Sequence, residues 1–127
     1  MIVRKKSLLI FVFVLSFACQ KTTKPPDILL RYEIAPQPPR VGTNTIDLQL
    51  ADEHGVAVGG ARVDLEGNMS HAGMAPVISE AKEIETGKYR GTVQLTMAGD
   101  WIVLVHVTLP DGQKLQRQIE IRAAGAE

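Results

Sequence analysis

Residues 88–109, KYRGTVQLTMAGDWIVLVHVTL, decide the fold. In the first half, Tyr89, Val93, Leu95 and Met97 alternate with Lys88, Arg90, Gln94 and Thr96. A period of two residues is that of a β-strand with one buried and one wet face. In the second half, Trp101 to Leu109 is apolar at nearly every position. Such a run predicts a central strand covered on both sides. Between the halves, Ala98-Gly99-Asp100 supplies a turn. A helix would need apolar residues three and four apart, and no stretch of the chain carries that stripe.

The same alternation extends outward. Upstream, Ile46, Leu48 and Leu50 alternate with Asp47 and Gln49, and Val63 and Leu65 alternate with Arg62, Asp64 and Glu66. Downstream, Pro110-Asp111-Gly112 offers a hairpin turn before a last strand containing Leu115, Ile119 and Ile121. Further turn signals at Glu53-His54-Gly55, Gly59-Gly60 and Glu85-Thr86-Gly87 fall at the spacing that short antiparallel strands require. About seven such strands predict an all-β fold, an immunoglobulin-like β-sandwich over residues 28–124. A small antiparallel barrel satisfies the same alternation.

The amino terminus has a different grammar. Arg4, Lys5 and Lys6 precede an apolar run from Leu8 to Val14 that continues to Ala18. This is the layout of a secretory signal peptide, read here as residues 1–18. The run is short for a membrane span, which needs roughly 20 apolar residues. It ends at Cys19, the sole cysteine. The string LSFAC over residues 15–19 resembles a bacterial lipobox, with Ser16 and Phe17 departing from the usual aliphatic and small residues. The resemblance implies that Cys19 is lipidated, that residues 19–27 form a short polar tether, and that Gln20 directs the chain to the periplasmic side of the outer membrane. An ordinary signal peptide with an incidental cysteine, or an uncleaved anchor, is the alternative.

With Cys19 consumed, no thiol is left for a disulfide, so the domain must hold itself together by burial alone. The precursor has no net formal charge, and loss of the signal removes three cations and no anions, leaving a mildly acidic chain. Nucleic acid is not expected as a partner, because binding it rests on a basic patch. Nor is an enzyme expected. Ser70 and Ser79 lack the flanking glycines of a nucleophile elbow. The Gly87-Lys88 pair has no preceding glycine-rich loop to cradle phosphate, and the carboxylates are scattered along wet strand faces.

One segment stands apart. EGNMSHAGMAPV, residues 66–77, follows a strand and has no strand period of its own. It reads as a loop that places Met69, His71 and Met74 within six residues, bounded by Gly67, Gly73 and Pro76. Thioether sulfur is a soft, neutral donor, so this cluster favours copper as Cu(I), and an imidazole can also hold Cu(II). Met97, at the end of its strand, is a fourth candidate ligand. The competing structural reading is that a methionine leaving a strand plugs the open end of the sandwich and that a loop histidine faces solvent. His54 reads as a polar turn residue. His106, on the face shared with Ile102 and Leu104, reads as a satisfied core histidine, or as part of a site between its strand and the loop.

Three passages carry a family resemblance: QPPRVGTNTIDLQLADEHG with the following AVGGARVDLEG, then NMSHAGMAPV, then GKYRGTVQLTMAGDWIVLVHV. In the last, Gly87, Tyr89, Met97, Gly99 and Trp101 stand in the expected order. Together they resemble the YtkA-like and FixH-like domains of bacterial envelope proteins, over nearly all of the chain after the tether. The resemblance implies an extracytoplasmic, membrane-associated sandwich connected with copper handling or with assembly of copper-containing respiratory oxidases. The membrane-spanning helix of FixH proteins has no counterpart here. The same positions have structural readings: Trp101 across the interior, Tyr89 as a corner tyrosine tying a loop, Gly87 and Gly99 at backbone angles closed to other residues. The expected partners are thus the membrane, through a lipid anchor, and a copper-handling or respiratory membrane protein. The rival expectation is a non-metal interaction module that uses the same loop. A third, a small hydrophobic ligand between the sheets, is disfavoured because strong alternation predicts a filled core.

Overall fold

A computed structural model describes residues 26–71 and 73–125. The signal peptide, Cys19 and most of the tether lie outside the described residues. The rest folds as seven antiparallel strands: β1 (Leu29–Ala35), β2 (Gly42–Ala51), β3 (Arg62–Met69), β4 (Val77–Glu85), β5 (Lys88–Leu95), β6 (Gly99–Thr108) and β7 (Lys114–Ala123). Hydrogen-bonded neighbours run β1-β2-β5-β4-β3-β6-β7. Cut between β4 and β3, this order is the four-plus-three arrangement of an immunoglobulin-type sandwich.

β4 joins the two sheets. Its residues Val77 to Ala81 pair with β3, whereas Lys82, Glu83 and Glu85 pair with β5 across an irregularity at Glu83–Glu85. A strand that changes sheets makes a corner. Gly91 on β5 lies inside that corner, where an added Cβ would stand 2.8 Å from Leu65 Cδ1 and 3.0 Å from Ala81 Cβ. The opposite margin is stitched by backbone bonds. Val41 N–H donates to the Ala124 carbonyl at 3.0 Å, and Ala124 N–H donates to the Pro39 carbonyl at 2.8 Å. The expected sandwich is therefore joined along one margin and laced at the other, which is why alternation alone did not separate it from a barrel.

The core follows the predicted period. Ile46, Leu48, Leu50, Val63, Leu65, Tyr89, Val93, Leu95, Trp101, Val103, Val105, Ile119 and Ile121 are all buried. Each such side chain contributes roughly 1.5–3 kcal/mol when withdrawn from water. Tyr89 ties a loop as expected of a corner tyrosine. Its hydroxyl donates to the Val58 carbonyl at 2.9 Å and accepts from Ala61 N–H at 3.1 Å, and burial raises its pKa above the ordinary tyrosine value. Gly87 and Gly99 have φ of 77° and 129°, values that L side chains avoid.

Four local expectations are corrected. Glu66 to Met69 belong to β3, and the loop proper is residues 70–76. Gly67, taken as a loop hinge, is a buried strand position whose missing Cβ makes room for Val77 and Val93. Gly99 and Asp100 open β6, so the turn is residues 96–98, and Met97 sits in it outside the buried alternation of β5. β6 is covered on its inner face only, since Ile102, Leu104 and His106 are half-buried. Apolar content on both faces imitated a doubly covered strand because Ile102 and Leu104 keep β-branched or bulky character on the outer surface.

His106 accordingly stands on the outer face and is not a core histidine. Its Nε2 lies 2.9 Å from Glu66 Oε2, and Asn68 Nδ2 donates to Glu66 Oε1 at 3.1 Å. These two bonds, His106 first, lower the Glu66 pKa from its ordinary value. A carboxylate with a depressed folded-state pKa stabilises the fold above its unfolded pKa, and that contribution disappears as pH falls through the depressed value. Glu66→Gln is thus expected to be less stable than the native chain near neutrality by no more than about 1 kcal/mol, as for a half-exposed pair. In urea titrations over a pH series the difference should shrink on acidification below the usual glutamate range. A gap that is absent at neutral pH, or that widens in acid, contradicts this account.

Candidate functional site

β3 and β6 run antiparallel with Met69 opposite Trp101. This register brings the β3–β4 loop and the β5–β6 turn to the same end of the sandwich, where the Ser70 N–H donates to the Asp100 carbonyl at 3.3 Å. Three of the predicted donors, His71, Met74 and Met97, belong to these two segments, and the fourth, Met69, is the last residue of β3. β1 begins at the other end, where Leu29 pairs with Ala51.

The four differ in how they are held. Met69 continues the inward face of Val63, Leu65 and Gly67, and packs partly buried against the core. Its methyl lies 3.4 Å from where a Cβ on Gly99 would stand. Met69 therefore plugs the end of the sandwich, as its structural reading expected. His71 is exposed, and Met74 is 42 % exposed. Between them Gly73, with φ of 90° and open space around it, lets the loop reverse. Met97 is 49 % exposed, yet its backbone is fixed, because its carbonyl accepts the Trp101 indole N–H at 2.9 Å.

The two segments that carry the exposed donors are themselves uncharged, although Asp100 and Arg122 face each other at 3.8 Å beside them. Residues 70–76 and 96–98 contain no Asp, Glu, Lys or Arg. Among the described residues no three of His, Cys, Asp and Glu are grouped to hold a metal ion, so a hard-cation site of carboxylates has no support. Three thioethers and an imidazole fit a soft monovalent ion in donor type. His106 does not join them: it is occupied by Glu66 on the outer face of β3 and β6. His54 lies in its turn beside Glu53, exposed, as expected.

A shallow groove of about 710 Å³ crosses the outer face of β1, β2 and β5 near Tyr32, Asp47, Lys88 and Arg90. It lies toward the Leu29–Ala51 end, away from the methionines. Arg90 is already bonded to Asp47 and Lys88 to Glu85, so the groove sets paired charges beside the exposed apolar side chains of Tyr32 and Ile84. Sequence inspection missed the tie from Trp101 to Met97 and the Glu66–His106 pair. Neither has a local signature, since both depend on which strands become neighbours.

Comparison with known proteins agrees with this architecture. The chain is similar in structure to the PmoD soluble domain from Methylocystis sp. (Rockwell), with a TM-score of 0.50 and 14% sequence identity, over 76% of this chain and 90% of that one. At that identity the likeness bears on the fold alone. No curated protein matches the chain. The family model described as YtkA-like matches residues 30–106, from β1 through most of β6. The chain belongs to the YtkA-like family.

Proposed function

We propose that the chain is an exported envelope lipoprotein, anchored through Cys19, whose methionine-histidine end binds copper as Cu(I) and buffers it or passes it to a copper-handling or respiratory membrane protein. The observation that carries this reading is the meeting of two uncharged, thioether-bearing segments at one end, with Met74 and Met97 42 % and 49 % exposed. Large apolar side chains left in water forgo burial energy. A soft ion gives those sulfurs a partner, and neutral donors leave its single positive charge uncancelled by carboxylates, which suits an ion that is to be released again. Family membership supports the reading through the association of YtkA-like and FixH-like domains with copper handling.

Methionine to leucine substitutions separate ligation from packing, because they keep volume and remove sulfur at a stability cost usually below about 1.5 kcal/mol. Met74→Leu and Met97→Leu are each expected to weaken Cu(I) binding by about tenfold or more, an effect at least as large as losing a ligand's outer partner, with unchanged thermal unfolding. Competition against a Cu(I) chelator measures this. Native-like affinity in a chain carrying Met69→Leu, His71→Ala, Met74→Leu and Met97→Leu together would falsify the assignment.

The same loop has a second reading as a docking element for a protein partner. It is favoured by Ile78, 73 % exposed and two residues past the loop. Co-purification of a partner that survives thorough metal removal supports that reading over the first. The anchor has its own test: Cys19→Ser should move the exported protein from the membrane fraction to the soluble fraction. Retention in the membrane would mean that something other than an acylated cysteine holds it.

A further inference from the structure

Trp101 is in contact with both halves of the proposed donor set. Its backbone is the register partner of Met69, the residue that leads into the β3–β4 loop. Its indole N–H donates at 2.9 Å to the carbonyl of Met97, the residue at the centre of the β5–β6 turn. The ring is 2 % exposed and passes over Gly67, with Cε3 3.7 Å from where a Cβ would stand. At Gly67 an added Cβ would also meet Val77 Cγ2 at 2.7 Å, so β3, the start of β4 and the indole leave one another no slack.

From this geometry we infer that Trp101 is the positioning residue of the metal-binding end, holding the Met97 turn at a fixed separation from Met69 through its indole N–H. The inference rests on the copper reading and adds to it the group that sets the spacing of the donors. The physical reason is specific to indole. A turn of three residues with an exposed side chain has few packing contacts to fix it, so the bond to its carbonyl is what orders it. Phenylalanine or leucine would fill much of the same volume but offers no donor. Ordering the ligands before the ion arrives removes an entropic cost from binding. A buried ring beside the site also makes the chain's single tryptophan a reporter of its occupancy.

A double-mutant cycle tests the inference. Trp101 is replaced by Phe and, in a second protein, by the benzothiophene isostere of tryptophan, which keeps the bicyclic shape and removes the N–H. Each is made in the native background and with Met97→Leu. Cu(I) affinity is read by chelator competition, and thermal melts verify folding. In the native background the isostere should weaken Cu(I) binding about fivefold, the effect of losing one hydrogen bond. With Met97→Leu the same replacement should leave affinity within about twofold, since the group it positions is gone. In the native chain, Cu(I) should also quench tryptophan emission to a plateau at one equivalent. An equal loss in both backgrounds would assign Trp101 to general packing and overturn the inference, as would undiminished affinity in the isostere; both outcomes leave the copper reading intact. If the native chain takes up no Cu(I), the copper reading and this inference fall together.

Discussion

The interior of this small domain is filled from one face of every strand, and with no cysteine after Cys19 nothing covalent reinforces it. Everything else follows from how that filling is closed off at the margins. Along one side β4 changes partners and bends the sheet onto itself, which requires the empty volume at Gly91. Along the other, Ala124 laces the last strand to the segment before β2. At one end Tyr89 ties the long β2–β3 connection to β5. At the other, Trp101 and Met69, partners in register on β6 and β3, close the core.

That last closure is where structure and chemistry meet. Met69 is shared between the core and the end surface, so it cannot be understood as ligand or plug alone. A methionine suits both roles because its chain is pliable and its sulfur polarizable. Met74 and Met97 have no such double duty. They sit on short segments without formal charge, one reversed at Gly73 and the other pinned by an indole. The end opposite, by contrast, carries Asp52, Glu53, Glu83, Glu85, Lys88 and Asp111 in and around its connections. At the methionine end the exposed Asp100 and Arg122 face each other at 3.8 Å, while the segments that carry Met74 and Met97 contribute no charge of their own.

Much of the fold was legible because burial has a period. Ile46-Leu48-Leu50 and Val63-Leu65 announce their strands, since a one-residue slip would turn each set into water. β4 was less legible. Its exposed Ile78 and Ile84 and its change of sheet leave Ala81 as its one fully buried side chain, which is too little for an alternation to register. β6 misled in the opposite direction, with apolar residues on a face that stays half open. Of the candidate site, the donors themselves were visible as residue types within a short span, because thioether and imidazole chemistry is local. Their company was not. That Met97 shares an end with Met69 depends on the antiparallel register of β3 and β6, and that His106 belongs with Glu66 depends on the same pairing. Such relations arise from contacts distant in sequence and carry no mark in either segment alone.

The account stands on the thioethers, not merely on the domain, being what the metal meets. Labelling the methionine methyl groups with ¹³C and adding Cu(I) in steps observes them directly. The account requires the Met69, Met74 and Met97 resonances to move together and to stop at one equivalent of the metal. Copper that binds while these three methyl signals stay where they were contradicts it.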